Sequence, residues 1–597
     1  MASVDWLHFF KEEIKNDSQR IRLQAVSRAH QIAYAIGTRR TVDELIPFLY
    51  ESSKKQDYFN DDEFLFRTGE QYILLLDFVG GNHLCLLEAV QWLALQEETV
   101  IREKAIEGIK EICIRGRVNV QQDVLPTLVK LSQAEWFTAR LSVCGLFAAV
   151  YARVSETQKT ELRKLYNNLA ADETPMVRRS AAHHLAEFVK VVDKQNCVAD
   201  MIPVYRNLAA DDTQDVIRTS CIETSANLVQ LQFKGDPEGS KQHILPIITA
   251  ALEDRSWRVR LKVAERFAVL CEGLGQDAMT QFLLAPFSNM LKDIEQEVRT
   301  AATKAIGDLL EADLLTQDQI QSYVVNYFQI LALDNSQHVR AAVAKIIGPT
   351  GKKLGRDMTQ KLLLNFVSDL IKDECHDVRL HMVIFATDVC TLLGPQDAAA
   401  HSLLNGINGV IMDKHWRIRR TVVEMLPALA KNFGLENFQR IESIFMKALK
   451  DSVHAVRMAA VDQCAHFCKH FGNEWATGTF IPTLLNEFSQ KSGHCIRLTV
   501  LQTVVPLGEV LSAAQTESML GPLLIKALND VVPNVKYRAC KLAPSFCKDT
   551  TVTLDYVTKE VRPVLEKLTS EAHLEVQQAA FLAKDAVDEL IKNGKPS

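Results

Sequence analysis

The sequence of 597 residues lacks the features that mark several common classes of protein. No apolar stretch is long enough for a transmembrane helix, and the opening residues MASVDWLHFFKEEIKNDSQRIR meet charged side chains too early for a secretory signal. The thirteen cysteines have no CxxC spacing, which argues against a disulfide framework. These absences predict free thiols and a location in the cytoplasm, with the nucleus as a second location.

The sequence also lacks an excess of charge of either sign. Its formal net charge is -6, with 24% charged and 47% hydrophobic residues. A nearly balanced charge does not favour binding to nucleic acid or to an anionic membrane surface. The apolar content is high enough to predict a chain that is folded throughout.

No constellation of residues typical of an enzyme or a metal site is present. The segment GPTGKKLG at 348–355 lacks the Lys-Ser or Lys-Thr pair of a phosphate-binding loop, and we interpret it as a turn between repeats. The cluster Cys464, His466, Cys468 and His470 places its two cysteines and two histidines on opposite faces of a helix, so the four cannot converge on one ion. We therefore predict no catalytic residue, no metal and no cofactor.

What the sequence does contain is one short pattern that recurs along its whole length. The clearest copy is DRSWRVR at 254–260, an acidic turn followed by an aliphatic and a basic residue. The aliphatic positions of the copies are Ile101, Ala139, Val177, Ile217, Val259, Val298, Val339, Val378, Ile418, Val456, Ile496, Val535 and Val576. Their spacing of roughly 38 to 42 residues is typical of HEAT and armadillo repeats, and extension to Leu65 and Ile21 gives about fifteen units.

Each unit is predicted to be a pair of amphipathic helices. In 279–313, apolar residues recur at helical spacing on both sides of a polar turn that begins at Asp293. This aspartate can accept hydrogen bonds from the first amides of the second helix. We predict an all-α, HEAT-repeat superhelical solenoid of about fifteen paired-helix units that forms a single domain over 1–597.

A basic residue follows the aliphatic position in most units. These residues are Arg102, Arg140, Arg178, Arg218, Arg260, Arg299, Arg340, Arg379, Arg419, Arg457 and Arg497. We predict a structural ladder in which each arginine pairs with an aspartate, either of its own unit or of the next.

Proline recurs in the first helix of many units. The positions are Pro47, Pro126, Pro203, Pro246, Pro286, Pro482, Pro522 and Pro563. An interior proline would distort each first helix, and this interpretation is favoured over proline at the helix start.

Three tryptophans, Trp136, Trp257 and Trp416, fall in polar turns and are followed closely by arginine. A turn tryptophan beside arginine has the composition of an interface hot spot, and the alternative is packing against the adjacent turn. We favour contact with a partner protein.

Several of these runs closely resemble the family of 65 kDa regulatory scaffold subunits of protein phosphatase 2A. They include ETPMVRRSAA, WFTARLSVCGLF, EETVIREKAIEGI, DRSWRVRLKVAERF, KDECHDVRL and VRPVLEKLT. The resemblance implies a hook of fifteen HEAT repeats that acts as a non-catalytic regulatory scaffold and forms hetero-oligomers, a core dimer and a trimeric holoenzyme. B-type regulatory subunits would dock on repeats 1–10, about 1–395, and the phosphatase catalytic subunit on repeats 11–15, about 396–597.

The resemblance also assigns contact residues in the turns. The positions for regulatory-subunit binding would be Glu97, Glu98, Trp136, Pro175, Met176, Arg178, Arg179, Trp257 and Arg258. The positions for catalytic-subunit binding would be Trp416, Arg417, His454, His494, Arg497, Asn534 and Lys536. The alternative function is a HEAT-repeat nuclear transport receptor, against which the short chain and near-neutral charge weigh.

Overall fold

The computed structural model describes residues 5–55, 61–116, 118–434, 438–488, 493–549 and 552–593. Over these ranges the chain is built from α-helices, π-helical turns and short 3-10 segments, without a strand. The residues cluster into two compact units that divide between Leu314 and Leu315. In each unit, successive helices pair as predicted for HEAT repeats, which confirms the all-α fold. The docking boundary near residue 395 stays a prediction.

In the first unit, one helix of each pair precedes the polar turn and the other follows it. The first helices are Trp6–Ile14, Ile46–Ser53, Leu84–Leu93, Leu125–Ser132, Glu156–Ala170, Ile202–Ala209, Leu245–Leu252 and Leu284–Met290. The second helices are Gln19–Val26 with Ala29–Arg40, Asp62–Leu75, Thr99–Arg115, Phe137–Val143 with Phe147–Tyr151, Pro175–Val191, Asp215–Asn227, Trp257–Leu274 and Gln296–Glu311.

The second unit repeats the same arrangement. Its first helices are Asn326–Ala332, Leu364–Leu370, Ala398–Val410, Phe438–Leu449, Ile481–Asn486, Gly521–Leu528 and Arg562–Leu568. Its second helices are Gln337–Leu354, His376–Leu393, Trp416–Phe433, His454–Phe471, His494–Gln502 with Val504–Gly508, Pro533–Asp549 and Leu574–Asn593.

Much of the core of each unit lies between neighbouring pairs. Second helices such as Trp257–Leu274 and Gln296–Glu311 pack directly on each other. The ring of Phe267 stacks on that of Phe287 in the next pair, with centroids 3.8 Å apart and planes 10° apart. All the apolar positions predicted to face the core in 279–313, from Leu283 to Leu309, are buried. One pair alone would expose this surface, so its stability depends on its neighbours.

The recurring prolines lie at the starts of the first α-helices, and in most units a widened, π-helical turn precedes the helix. Such turns are Thr41–Leu45, Val120–Val124, Cys197–Met201, Met279–Leu283, Ala476–Phe480, Thr516–Leu520 and Val557–Val561. Six of the prolines, at 47, 126, 203, 482, 522 and 563, are each the second residue of the α-helix, so the alternative of proline at the helix start is confirmed for these units. The expected distortion of the helical backbone is present as well, but it lies in the π-helical turn before the proline. Pro246 differs, because its helix is interrupted at Ile244. The turn Gln321–Val325 is π-helical although no proline follows it, so the proline alone does not cause the distortion.

Two segments interpreted as connections are helical instead. The residues 348–355 are not a turn, because the helix Gln337–Leu354 continues through Pro349 and ends only at Gly355, whose φ of 78° suits glycine. The polar, glycine-containing sequence FKGDPEGSKQ at 233–242 predicts a surface loop. Part of it instead belongs to the helix Pro237–His243, which the Asp236 side chain caps by accepting a hydrogen bond from the amide of Gly239 at 3.0 Å. Both segments contain glycine and proline, which usually indicate turns, and this pattern led to the wrong interpretation.

Candidate protein-binding site

An arginine ladder fixes the turn that precedes each second helix. Arg260 Nε and Nη2 donate to Asp293 Oδ2 and Oδ1 in the next pair, at 2.6 and 2.9 Å. Arg260 Nη1 donates to the carbonyl of Asp254 in its own turn, at 2.7 Å. The guanidinium therefore bridges two successive turns, which resolves the alternative that the sequence left open: the carboxylate belongs to the next pair.

The same ion pair recurs through both units. In the first unit it joins Arg140 to Asp172, Arg178 to Asp211, Arg218 to Asp254 and Arg260 to Asp293. In the second unit it joins Arg340 to Asp373, Arg379 to Asp413, Arg419 to Asp451 and Arg497 to Asp530. These pairs are mostly shielded from water, so removing one partner costs more than it would in an exposed pair.

The ladder aspartates are also anchored in their own turns. Asp293 Oδ1 accepts a hydrogen bond from the amide of Glu295 at 3.0 Å. Burial alone would raise the pKa of Asp293, but the hydrogen bonds from Arg260 and from the Glu295 amide outweigh it and hold the pKa below its ordinary value. The carboxylate is therefore ionised at neutral pH, as the ladder requires.

The prediction that every arginine faces an aspartate is wrong at Arg102 and Arg457. Arg102 Nε donates to Ser142 Oγ at 3.0 Å, and burial lowers its pKa. Arg457 Nε donates to Thr499 Oγ1 at 3.1 Å, because the following turn has no aspartate at the ladder position. These two rungs end on hydroxyl groups and lack the bidentate charge pair of the others.

The turns carried by the ladder form a row in each unit, which we call the ridge of that unit. Large apolar side chains are exposed along it. In the first unit, Ile294 is 92% and Met176 52% exposed. In the second, Met412 is 73% and Val531 77% exposed. A short solvated turn gains nothing from such residues, so each ridge is suited to burial against another protein.

The sequence reasoning missed most of these apolar residues. Ile294 and Val531 each directly follow a ladder aspartate, and Met412 directly precedes one. An apolar residue adjacent to the turn aspartate was therefore the available signal. Helical periodicity could not reveal it, because these residues lie outside the helices.

The three turn tryptophans are placed in two ways. Trp136 is 78% exposed at the start of its helix, whereas Trp257 and Trp416 are half-buried. The next arginine lies over each of the latter rings, with Arg258 Cζ 4.7 Å and Arg417 Cζ 4.9 Å from the ring centroid. This cation–π contact holds the ring and the guanidinium together, so the pair is ordered before any partner arrives.

The residues assigned through the resemblance all lie in the ridges or in the first turns of second helices. Exposed members are Glu97, Glu98, Trp136, Met176, Arg179, Arg258, Arg417, His454, His494 and Asn534. Half-buried members are Pro175, Trp257, Trp416 and Lys536. Arg178 and Arg497 stand apart, because their guanidinium groups belong to the ladder. Lys536 pairs with Glu571 at 2.6 Å in the same manner.

A pair of stacked histidines lies beside Trp416. The rings of His376 and His415, from neighbouring turns, stack with centroids 4.2 Å apart. Partial burial, then the charges of His376 and Arg417, lower the pKa of His415. The lowered pKa favours the neutral form of His415, which limits repulsion between the two turns.

The described part of the chain shows neither a metal site nor a membrane-spanning helix. Within it, no group of three or more histidine, cysteine, aspartate or glutamate side chains could hold a metal ion. Cys464 and Cys468 are buried, whereas His466 and His470 are exposed on the other side of the helix. None of the described helices is both long and apolar enough to cross a membrane.

Comparison with family models gives HEAT repeats. The model described as PPP2R1A-like HEAT repeat matches residues 276–355, and a general HEAT repeat matches 244–274. A model described as PIK3R4-like, middle domain, matches 352–470 and 434–568.

Several characterised proteins are similar in sequence. The beta isoform of the human 65 kDa regulatory A-type subunit of serine/threonine-protein phosphatase 2A is 33% identical over 378 residues, which cover 62% of this chain and 61% of that protein. The A-type regulatory subunit of Schizosaccharomyces pombe protein phosphatase PP2A is 37% identical, over 44% of each chain. The Dictyostelium discoideum protein phosphatase 2A scaffold subunit is 39% identical, over 32% of this chain and 33% of that protein. The matched segments thus span less than two thirds of each relative.

Solved structures with a similar fold include transport proteins. A crystal structure of Kap121p aligns with a TM-score of 0.60 at 14% identity, over 98% of this chain and 64% of that chain. Importin beta aligns with a TM-score of 0.53 at 11% identity, over 98% of this chain and 85% of that chain. At these identities the likeness shows the fold alone.

Proposed function

We propose that this chain is a scaffold that assembles a serine/threonine phosphatase. The reason is that the chain belongs to the family of A-type 65 kDa regulatory subunits of protein phosphatase 2A. It would bring a catalytic subunit together with a B-type regulatory subunit. The observation that supports this most directly is the pair of ridges, in which buried ion pairs hold turns that expose large apolar side chains.

The catalytic subunit is proposed to dock on the ridge of the second unit. Its contacts would centre on Trp416 and Arg417, which already form an ordered cation–π pair. The further contacts would be His454, His494, Arg497, Asn534 and Lys536. Arg497 is only 6% exposed, so it would act by holding its turn in position rather than by touching the partner.

The regulatory subunit is proposed to dock on the N-terminal side. Trp136 is the strongest candidate for an anchor, because its indole is exposed and rigid aromatic rings dominate interface energies. The other contacts would be Glu97, Glu98, Pro175, Met176, Arg179, Trp257 and Arg258, with Arg178 holding its turn through Asp211. A single chain that binds both partners raises the effective concentration of one near the other.

This proposal includes no catalytic role and no cofactor for the chain itself. The chain would act in a core dimer with the catalytic subunit, and also in a trimeric holoenzyme. Its proposed location is the cytoplasm, with the nucleus as a second location.

The test is a pull-down from a eukaryotic lysate on the purified chain, followed by mass spectrometry. The double variant Trp416→Ala, Arg417→Ala should lose the catalytic subunit of the phosphatase but keep the B-type subunit contacts of the other ridge. Loss of an anchor worth about 2 kcal/mol or more weakens binding by about thirtyfold or more. Arg420→Ala is the matched control, since Arg420 is exposed on the same helix and pairs only locally with Glu424.

Two outcomes would contradict the proposal. Equal recovery of the phosphatase by the double variant and by the Arg420→Ala control would remove the second ridge as its docking site. Retention by the native chain of a Ran-type GTPase or transport cargo, without any phosphatase, would favour the transport-receptor function instead.

A further inference from the structure

Two histidines of neighbouring turns, His376 and His415, stack on each other in the ridge of the second unit. His376 is the first residue of the helix His376–Leu393, and His415 directly precedes the helix Trp416–Phe433. The centroids of the two rings are 4.2 Å apart, and the ring planes differ by 22°. The stack is therefore a contact between two successive helix pairs, which are also joined there by an ion pair of the ladder.

Both partners in this contact can become charged. Imidazole is the side chain whose charge changes most readily between about pH 5 and 8. Two unit charges about 4 Å apart repel each other strongly, even near a protein surface where water screens them. Stacking of the two rings therefore requires that at least one of them is neutral.

The position of His415 gives a second reason why its protonation disturbs the turn. Nδ1 of this ring is buried and has no hydrogen-bond partner among the described residues. In a neutral ring this nitrogen can be an acceptor without a proton, but in the charged ring it carries a proton that needs an acceptor. An unpaired donor on a buried charged group is costly. The charged ring is therefore expected to leave this position.

Charged groups come from each element that packs against the stack. Partial burial, then the charges of His376 and Arg417, lower the pKa of His415, and Asp413 acts in the opposite direction. Asp413 already binds Arg379 and the amide of His415, so its carboxylate is engaged. The charged and titratable residues of these elements are Asp373, Glu374, Asp377 and Arg379 of the preceding turn and helix, Asp413, Lys414, Arg417, Arg419 and Arg420 beside His415, and Asp451, His454 and Arg457 of the following turn and helix.

The stack is joined directly to the pair formed by Trp416 and Arg417. His415 has an extended backbone, with φ -89° and ψ 115°, and the helix starts at the next residue. The indole of Trp416 is half-buried, and Arg417 Cζ lies 4.9 Å from its ring centroid. Because Trp416 follows His415 in the chain, a displacement of His415 also displaces the first turn of the helix and the indole that it carries.

We propose that this stack is a pH-sensitive switch on docking: with at least one ring neutral it holds the two turns together and keeps Trp416 in its docking position, and protonation of both rings releases the turn of Trp416. The switch rests on the proposed function, because the partner that it would release is the catalytic subunit of the phosphatase. The pKa of His415 lies below the ordinary value of 6.5, so the stack stabilises the contact at neutral pH, and this stabilisation is lost as pH falls below 6.5.

Hydrogen exchange followed by mass spectrometry on the full chain tests the switch without a partner. Protection, corrected for the intrinsic exchange rate, should fall by about tenfold in the helices His376–Leu393 and Trp416–Phe433 between about pH 7.5 and about pH 5.5. It should fall much less in the other helices of the second unit.

Two variants show whether the charge on His415 is the cause. His415→Phe keeps a ring that can stack but cannot be charged, so its protection should not fall at the lower pH. Equal protection of this variant and the native chain at about pH 7.5 shows that the variant is folded. His466→Phe is the matched control, because His466 is exposed on a helix of the same unit and should leave the response of the two helices unchanged.

Binding of a purified phosphatase catalytic subunit at the same two pH values tests the consequence for docking. Between these values the native chain should lose about tenfold more affinity than His415→Phe does. Comparison of the two chains at each pH cancels any titration of the catalytic subunit itself.

Other outcomes overturn the switch or its role. Constant protection across the pH range, an equal fall in His415→Phe, or a fall spread evenly through the second unit would show that the stack does not respond to protonation. A local fall in protection with an equal pH dependence of affinity in the two chains would remove its role in docking. Failure of both chains to bind the catalytic subunit at about pH 7.5 would contradict the proposed function instead, and the exchange experiment would still decide whether the stack opens.

Discussion

Replacing Arg379 by methionine should loosen the contact between two successive helix pairs of the second unit. The guanidinium donates to Asp413 Oδ2 at 2.7 Å and Oδ1 at 3.0 Å, and to the carbonyls of Asp373 at 2.6 Å and Glu374 at 2.9 Å. The side chains of Arg379 and Asp413 are 16% and 10% exposed. Methionine fills similar volume, so the main loss is electrostatic.

The expected cost lies between two limits. An exposed ion pair contributes about 0 to 1 kcal/mol, and breaking a fully buried one costs about 3 to 5 kcal/mol. Burial alone would raise the pKa of Asp413, but the hydrogen bonds from Arg379 and the His415 amide lower it. When Arg379 is removed, the carboxylate keeps the hydrogen bond from the His415 amide but loses its counter-charge. Because water still reaches this carboxylate in part, we expect a cost of about 2 to 3 kcal/mol.

Hydrogen exchange followed by mass spectrometry measures this cost locally. A repeat array opens in parts, so protection should fall by about 30- to 150-fold in the helices His376–Leu393 and Trp416–Phe433 and much less elsewhere. Arg420→Met is the control, because that pair is exposed and should change protection by less than about threefold. Adding Asp413→Leu to Arg379→Met should recover part of the loss, since no charge is then left unpaired.

The reasoning would be refuted by either of two results. One is a loss of protection no larger than that of Arg420→Met. The other is a loss spread evenly through the second unit, which would mean that the ladder does not stabilise the array one interface at a time.

Two further predictions concern His184 and Gly273. Burial, then the charges of Lys110 and His183, lowers the pKa of His184 in the folded chain to about 4 from 6.5, so its contribution to stability is present above pH 6.5 and is lost as pH falls towards 4. The free energy of unfolding of His184→Asn, measured in urea, should therefore depend less on pH across this window. An unchanged slope of stability against pH would contradict the burial argument. A Cβ at Gly273 would collide with Val229, because it would lie 2.7 Å from Val229 Cγ2, so Gly273→Ala should lower the free energy of unfolding in urea by about 1 to 3 kcal/mol. A Cβ at Gly409 meets nothing within 4 Å, so the control Gly409→Ala should not destabilise the chain. Equal effects of the two variants would contradict the packing argument.

The sequence predicts the repeat and its chemistry well, because both are periodic. The buried face of 279–313 follows from the spacing of apolar residues. The predicted capping by Asp293 is wrong in detail, because Asp293 accepts a hydrogen bond from the amide of Glu295, just before the helix Gln296–Glu311, and no side chain caps that helix. The ladder was predictable as a set of pairs. Which aspartate each arginine reaches was not, because that depends on how far one helix pair is displaced from the next.

The exposed ridge was less accessible to sequence reasoning. Ile294 and Trp257 are both large and apolar in comparable turns, yet one is 92% exposed and the other is half-buried. The difference lies in the neighbouring turn, which supplies Asp215 and its bonds to Ser256 and Arg258 beside Trp257. The distances between residues of neighbouring turns cannot be read from a single sequence.

The ladder has a direction, and this matters while the chain is being made. The carbonyl partners of Arg260 belong to its own turn and are synthesised before it, but its carboxylate partner, Asp293, follows 33 residues later. A ribosome adds residues from the N-terminus, so the newest complete repeat always presents an arginine whose anion has not yet emerged. Each turn that emerges brings an aspartate whose carboxylate is already oriented by a backbone amide of the same turn, as Asp293 is by the amide of Glu295. At each rung that ends on an aspartate, a finished turn therefore offers a positive charge to the turn that follows it.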